Sequence, residues 1–134
     1  MSLIHEMIRT YPDDLGAVDR EALAECIAAC TECAEACTAC ADACLAEPAV
    51  AELRRCIGLN LDCADICVAT AAILGRHTEA DLEARRMILE VCQAICRKCA
   101  EECEQHASMH EHCRVCAEAC RRCEAACAAL LETL

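Results

Sequence analysis

Residues 26–44 read CIAACTECAEACTACADAC, with cysteine at 26, 30, 33, 37, 40 and 44, at steps of 4, 3, 4, 3 and 4. Apolar positions of a bundle helix recur at these steps, so the stretch predicts a helix with thiols where its core face would carry leucine. At about 100° per residue, the six cysteines stay within a stripe less than about 90° wide.

The same rhythm recurs three times. Cys92, Cys96, Cys99 and Cys103 follow at 4, 3, 4, and Cys113, Cys116, Cys120, Cys123 and Cys127 at 3, 4, 3, 4. Between these ladders and the first lie Cys56, Cys63 and Cys67, where Asn60 fills the gap and restores the 4, 3, 4 pattern.

Helix signals flank each ladder. Asp19 can cap a helix over about 20–46, and Glu47-Pro48 ends it, with Pro at the first position of a second helix over 48–74 that Gly75 stops. Thr78 with Asp81 resembles a capping box opening a third helix, about 79–106; Ser108 with Glu111 opens a fourth, about 109–132. Helices of roughly 25 residues, each about 35–40 Å long, joined by short turns must lie antiparallel. The expectation is one all-α domain over residues 1–134, an up-down-up-down four-helix bundle with a Cys-lined core. Residues 1–18 form an N-terminal segment, with a short amphipathic helix over 2–10 before the YPDDLG turn.

Composition says what the core lacks. Of 134 residues, 28 are Ala and 18 Cys, Leu, Ile and Val together number 26, and there is one aromatic residue of the Phe, Trp and Tyr type, Tyr11. With a net charge of −12, so few large apolar groups would by themselves favour a disordered chain. A core lined by cysteine alone would also forfeit much of the roughly 1.5–3 kcal/mol that each buried leucine supplies. Something that thiolates bind must fill the interior.

The acidic balance without a basic patch or aromatic platform argues against nucleic acid as a partner. Nowhere do about 18 apolar residues run on uncharged, and MSLIHEMIRTYPDD is no signal peptide, so no membrane partner and a cytoplasmic location are expected. Thiols are kept reduced there, and disulfides between residues three or four apart on one helix would be geometrically awkward. The cysteines therefore read as metal ligands or redox groups.

Structural zinc closes single tetrahedra from isolated pairs, and iron–sulfur clusters wrap irregular loops around one or two cofactors, whereas this ladder defines no single site. Cu(I) accepts two or three sulfurs, which the eight Cys-x-x-x-Cys pairs (26/30, 33/37, 40/44, 63/67, 92/96, 99/103, 116/120 and 123/127) can supply with help from a facing helix. If each ion takes two sulfurs and each sulfur bridges two ions, capacity approaches ~18 Cu(I) per chain, the number that neutralises the thiolates. An iron–sulfur electron-transfer protein and a zinc buffer remain as alternatives. No Ser/His/Asp set or phosphate loop points to an enzyme.

These ladders resemble the bacterial copper storage proteins, Cys-rich four-helix bundles, over essentially the whole chain, and the absent export signal resembles the cytosolic branch. The resemblance implies a homotetramer that stores many Cu(I) ions per subunit, with His and Met near one mouth. In this chain the turn CEQHASMHEHC places His106, Met109, His110 and His112 beside Cys103 and Cys113. Imidazole and thioether bind Cu(I) more weakly than thiolate, so His106, Met109 and His110 are expected to receive copper and pass it to the cysteines, with Asn60 among the inner ligands. A copper donor or acceptor protein is a further expected partner. At the other end Leu23, Leu74, Ile88 and Leu131 are expected to form an apolar plug. The second helix carries a surplus apolar face, Ile57, Leu61 and Val68, suited to subunit contacts.

Overall fold

Capping residues and helix breakers set the elements of the computed structural model, which describes residues 2–134. Helix α1 spans Leu3–Arg9, α2 Arg20–Ala46, α3 Arg54–Leu74, α4 Leu82–His106 and α5 Glu111–Thr133. The Asp19 carboxylate accepts from the Ala22 amide at the start of α2, and Asp81 does the same for Ala84 at the start of α4, satisfying donors that a helix leaves free at its first turn. Between α1 and α2 the chain reverses at Gly16, whose φ of +77° few other residues tolerate.

Helix α2 packs against α3 and α5, and α4 packs against the same two, so the four long helices close a ring in up-down-up-down order. The chain is all-α, with no strand among the described residues. Helix α1 lies along α2 and buries Ile8.

Three helix starts differ from the expected ones. Pro48 does not open α3: Glu47 is held extended (φ −78°, ψ 142°), as the residue before a proline prefers, and a 3-10 turn over Val50–Leu53 precedes Arg54. Thr78 joins no capping box, because its hydroxyl bonds the Tyr11 hydroxyl at 2.8 Å and α4 begins only after Asp81. Ser108 lies exposed in the turn, and His110 occupies the N-cap of α5 without a side-chain cap.

The starts of α2 and α4 meet the ends of α3 and α5 at one end of the bundle. There Leu23, Leu74, Leu89 and Leu130 are fully buried and close the core. Ile88 and Leu131, expected in this plug, are only half-buried at its edge. The last cysteine step on α4 and α5 is 4, so strict alternation continues by 3, to Leu89 and Leu130 rather than to their neighbours. His77 sits at the same end, edge-on to Tyr11 and beside the Arg85 guanidinium; burial, then the Arg85 charge, lowers its pKa.

The stretch Val50–Leu74, the 3-10 turn together with α3, is long and apolar enough by composition to cross a bilayer. In the bundle, though, α3 turns Cys56, Asn60, Cys63 and Cys67 inward and leaves Leu61 and Val68 outside.

Candidate metal site

All 18 cysteines are buried and none is bonded to another. The column begins above the leucine plug, where the Cys26 and Cys127 sulfurs are 3.8 Å apart. Cys30 then meets Cys92 at 3.9 Å and Cys123 at 3.6 Å, and Cys67 meets Cys96 at 3.7 Å. At mid-height Cys33, Cys37, Cys63 and Cys120 form a quartet from three helices, with Cys33–Cys37 at 3.8 Å and Cys37–Cys120 at 3.6 Å. These contacts put i, i+4 neighbours of one helix beside thiols of the next, the geometry that two- or three-coordinate sulfur ligation needs.

Sulfur quartets whose Sγ atoms all lie within 4.8 Å of one another include Cys30/Cys92/Cys123/Cys127, Cys33/Cys63/Cys67/Cys96, Cys37/Cys99/Cys116/Cys120 and Cys40/Cys44/Cys56/Cys113. Cys33 and Cys37 each belong to more than one quartet. Shared members make the column a chain of overlapping sites instead of a set of separate ones.

Asn60 interrupts the sulfurs above mid-height. Its Oδ1 accepts from the thiols of Cys99, Cys116 and Cys103 at 3.0, 3.2 and 3.5 Å, and its Nδ2 donates to the Cys56 sulfur at 3.7 Å. The buried amide is thereby satisfied on both sides. Cys103 in turn lies 3.7 Å from Cys56.

The polar mouth is at the opposite end to the plug. Cys40 and Cys113 are 3.9 Å apart, and His112 Nδ1 faces both, at 3.4 Å from the Cys40 sulfur and 3.7 Å from that of Cys113. On the other edge of the ring, His112 Nε2 donates to Glu47 Oε2 at 2.8 Å. The same oxygen is 2.8 Å from His110 Nδ1, and the two imidazoles stack with centroids 5.6 Å apart. A carboxylate only accepts, so the proton of His112 lies on Nε2. In the neutral ring this leaves the His112 Nδ1 lone pair turned to sulfur.

His106 is held on the far side of the mouth by Glu102, a nearly buried carboxylate that accepts from its Nε2 at 2.9 Å and also pairs with Arg55. Met109 is 72% exposed at the tip of the turn. Of the expected mouth residues, His106 and His110 thus meet carboxylates and Met109 meets solvent, while direct contact with sulfur falls to His112. Glu47 and Glu102 were not expected here: Glu47 is distant in sequence from the histidines, and Glu102 is one of many glutamates on α4. The spacing of Glu102 and His106, one helical turn, was the one available signal.

The electrostatics vary along the column. Burial pushes the Cys113 thiol up to about 12, helped by the nearby Cys56 charge, and burial raises Cys44 as well. Cys56 is lowered to about 3, because Cys103 and Cys40 donate to its thiolate and His106 lies nearby. The hydrogen bond from His112 outweighs desolvation and holds the Glu47 carboxyl below the usual range. The site therefore combines buried, protonated thiols with a few thiolates that neighbouring S–H groups stabilise.

Residues 19–132 match the family Csp, copper storage protein. Among solved structures, the chain is similar to the copper storage protein Ccsp of Streptomyces lividans loaded with 10 copper equivalents, at 60% identity and a TM-score of 0.97, covering 98% of this chain and 99% of that one. It is similar also to a cytosolic copper storage protein from Streptomyces lividans carrying five coppers, at 60% identity and a TM-score of 0.84, over 85% of this chain and 95% of that one. The Cu(I)-bound copper storage protein BsCsp3 matches at 36% identity and a TM-score of 0.70, over 79% and 94%. No curated protein matches the chain. With its ladders folded into one buried thiol column, this chain belongs to the copper storage protein family.

Proposed function

We propose that this protein stores Cu(I) in the cytoplasm, holding many ions per chain on the 18 cysteines as a reserve and a protection against free copper. The observation that carries the reading is the continuous column of buried, unbonded thiols, in overlapping quartets from plug to mouth. Copper enters at the mouth, where His112 Nδ1, Cys40 and Cys113 converge on one point and could supply one nitrogen and two sulfurs to the first ion. His106, His110 and Met109 surround that point as weaker ligands that receive copper from a donor protein. Deeper ions are bridged by Cys26, Cys30, Cys33, Cys37, Cys63, Cys67, Cys92, Cys96, Cys99, Cys116, Cys120, Cys123 and Cys127, with Asn60 beside Cys56 and Cys103 at the boundary. Each Cu(I) that displaces a thiol proton cancels one thiolate charge, so filling the column also neutralises it, towards ~18 ions per chain. The chain has no turnover step in this reading and acts as a store, not an enzyme.

The cytoplasmic setting is supported by the Streptomyces lividans relative, which is described as cytosolic. We also propose assembly into a homotetramer through the outer face of α3, where Leu61 (47%) and Val68 (60%) are exposed beside half-buried Ile57. Apolar residues aligned on one helix face at such exposure suit a subunit contact.

The test is anaerobic titration of Cu(I) into reduced protein against a coloured Cu(I) chelator, with elemental analysis of the product. Withholding of ~10–20 ions per chain establishes the store. Saturation at one to four ions sinks it and favours the zinc or iron–sulfur alternatives, which metal analysis and absorbance distinguish.

A further inference from the structure

We propose that Glu47 is the positioning residue of the copper mouth: by accepting from His112 Nε2 it fixes the ring's tautomer and angle, so that the Nδ1 lone pair stays aimed between Cys40 and Cys113. The inference rests on the storage reading above, and it assigns a role to a side chain that touches no sulfur.

Glu47 reaches the mouth from the turn between α2 and α3, not from the helix that carries the histidines. Pro48 holds its backbone extended, and the Glu47 side chain is 27% exposed, with one carboxylate oxygen 2.8 Å from His112 Nε2 and from His110 Nδ1. A neutral imidazole carries one proton, and the nitrogen that bears it cannot bind a metal. Without an acceptor at Nε2, the ring could place its proton on Nδ1 and face Cys40 and Cys113 as a donor, or turn away from them. A carboxylate on the distal nitrogen is the usual device for orienting a metal-binding histidine, and its loss typically costs about 10–100-fold in metal binding. Stacking of His110 on His112 narrows the remaining freedom of the ring, so Glu47 acts on both imidazoles through one oxygen. Glu102 has the parallel relation to His106 on the other side, but there the ring meets no sulfur directly.

Two variants separate the acceptor from the charge. Glu47→Gln keeps an amide oxygen where the carboxylate oxygen stands and removes the charge; Glu47→Ala removes both. Long-range proton–nitrogen correlation spectra of the reduced, copper-free protein read the His112 tautomer, and stopped-flow mixing with a Cu(I)–chelator donor reads uptake of the first equivalents. The wild type and Glu47→Gln are expected to show the Nε2–H tautomer and similar uptake, whereas Glu47→Ala gives mixed tautomers and uptake slower by about tenfold or more. An unchanged His112 tautomer in Glu47→Ala overturns the assignment, as does a Glu47→Gln variant as slow as Glu47→Ala, which would make charge the operative property. A smaller final copper content in Glu47→Ala would overturn it too, by giving Glu47 a ligand or folding role. Wild-type protein that takes up no copper would overturn the storage reading instead, and the copper-free spectra would still decide the role of Glu47.

Discussion

His110 and His112 are two positions apart at the start of α5, yet one meets the Glu47 carboxylate and the other also faces sulfur. The difference lies in the backbone: His110 is extended and outside the helix, whereas His112 is in the first turn beside the stripe that Cys113 begins. Replacing His112 by Ala removes the one imidazole that is hydrogen-bonded to thiols among the described residues, and should slow loading of the first equivalents by about tenfold or more in stopped-flow experiments. Asn60 shows a different dependence on its neighbours. Its Oδ1 is the acceptor for Cys99, Cys103 and Cys116, so Asn60→Ala leaves buried groups unpaired and a small void. We expect the reduced, copper-free variant to lose about 1–3 kcal/mol in urea unfolding. Copper on the same cysteines would replace those hydrogen bonds, so the loss should shrink in the loaded protein.

At the scale of the element, α3 is the exception among the four long helices. It contributes three cysteines where α2 contributes six, and much of its apolar surface faces outward. A second apolar stripe left in water beside the buried one marks a surface suited to cover by a partner. If α3 forms the contact of the proposed tetramer, the double variant Leu61→Glu with Val68→Glu should leave a monomer in light scattering, because the substitutions would bring like charges together at an apolar contact. Copper content per chain should not change, since neither residue faces the column. An unaltered mass would place the subunit contact elsewhere.

For the molecule as a whole, the column makes stability and copper binding depend on pH in predictable directions. Cys113 is raised by burial from an ordinary 9.0 to about 12, and Cys44 moves the same way. Both are thiols at neutral pH, so an incoming Cu(I) must displace their protons, and apparent affinity should increase with pH. Copper-free stability has the opposite dependence. Unfolded thiols ionise near 9.0 while folded Cys113 keeps its proton to about 12, so the stability this group contributes is complete below pH 9 and is lost as pH rises towards 12. Lowered groups such as Cys56 contribute a constant amount above pH 9 and leave that slope unchanged. Urea midpoints of the reduced, copper-free protein should fall on going from about pH 10 to about pH 11.5; a rise would mean that the buried thiols ionise on folding.

The sequence by itself determined the helices, their antiparallel order and the chemistry of the core. Periodicity and caps act over a few residues, and 18 thiols in register leave a soft metal as the filling. Strict alternation also contained the plug, since it points to Leu89 and Leu130, although the broader stripe admitted Ile88 and Leu131. What only the tertiary structure decided is which groups meet. Cys26 reaches Cys127 and Glu47 reaches His112 from distant parts of the chain, and Asn60 finds three thiols on two other helices. A helical stripe says which face a residue is on, but not its height against a neighbouring helix or its rotamer. Turn geometry sets the height: Pro48 and the 3-10 turn after it delay α3 by several residues and leave Glu47 at the mouth. The thiol column was therefore legible from local spacing, while the polar mouth depends on side chains from separate helices and turns.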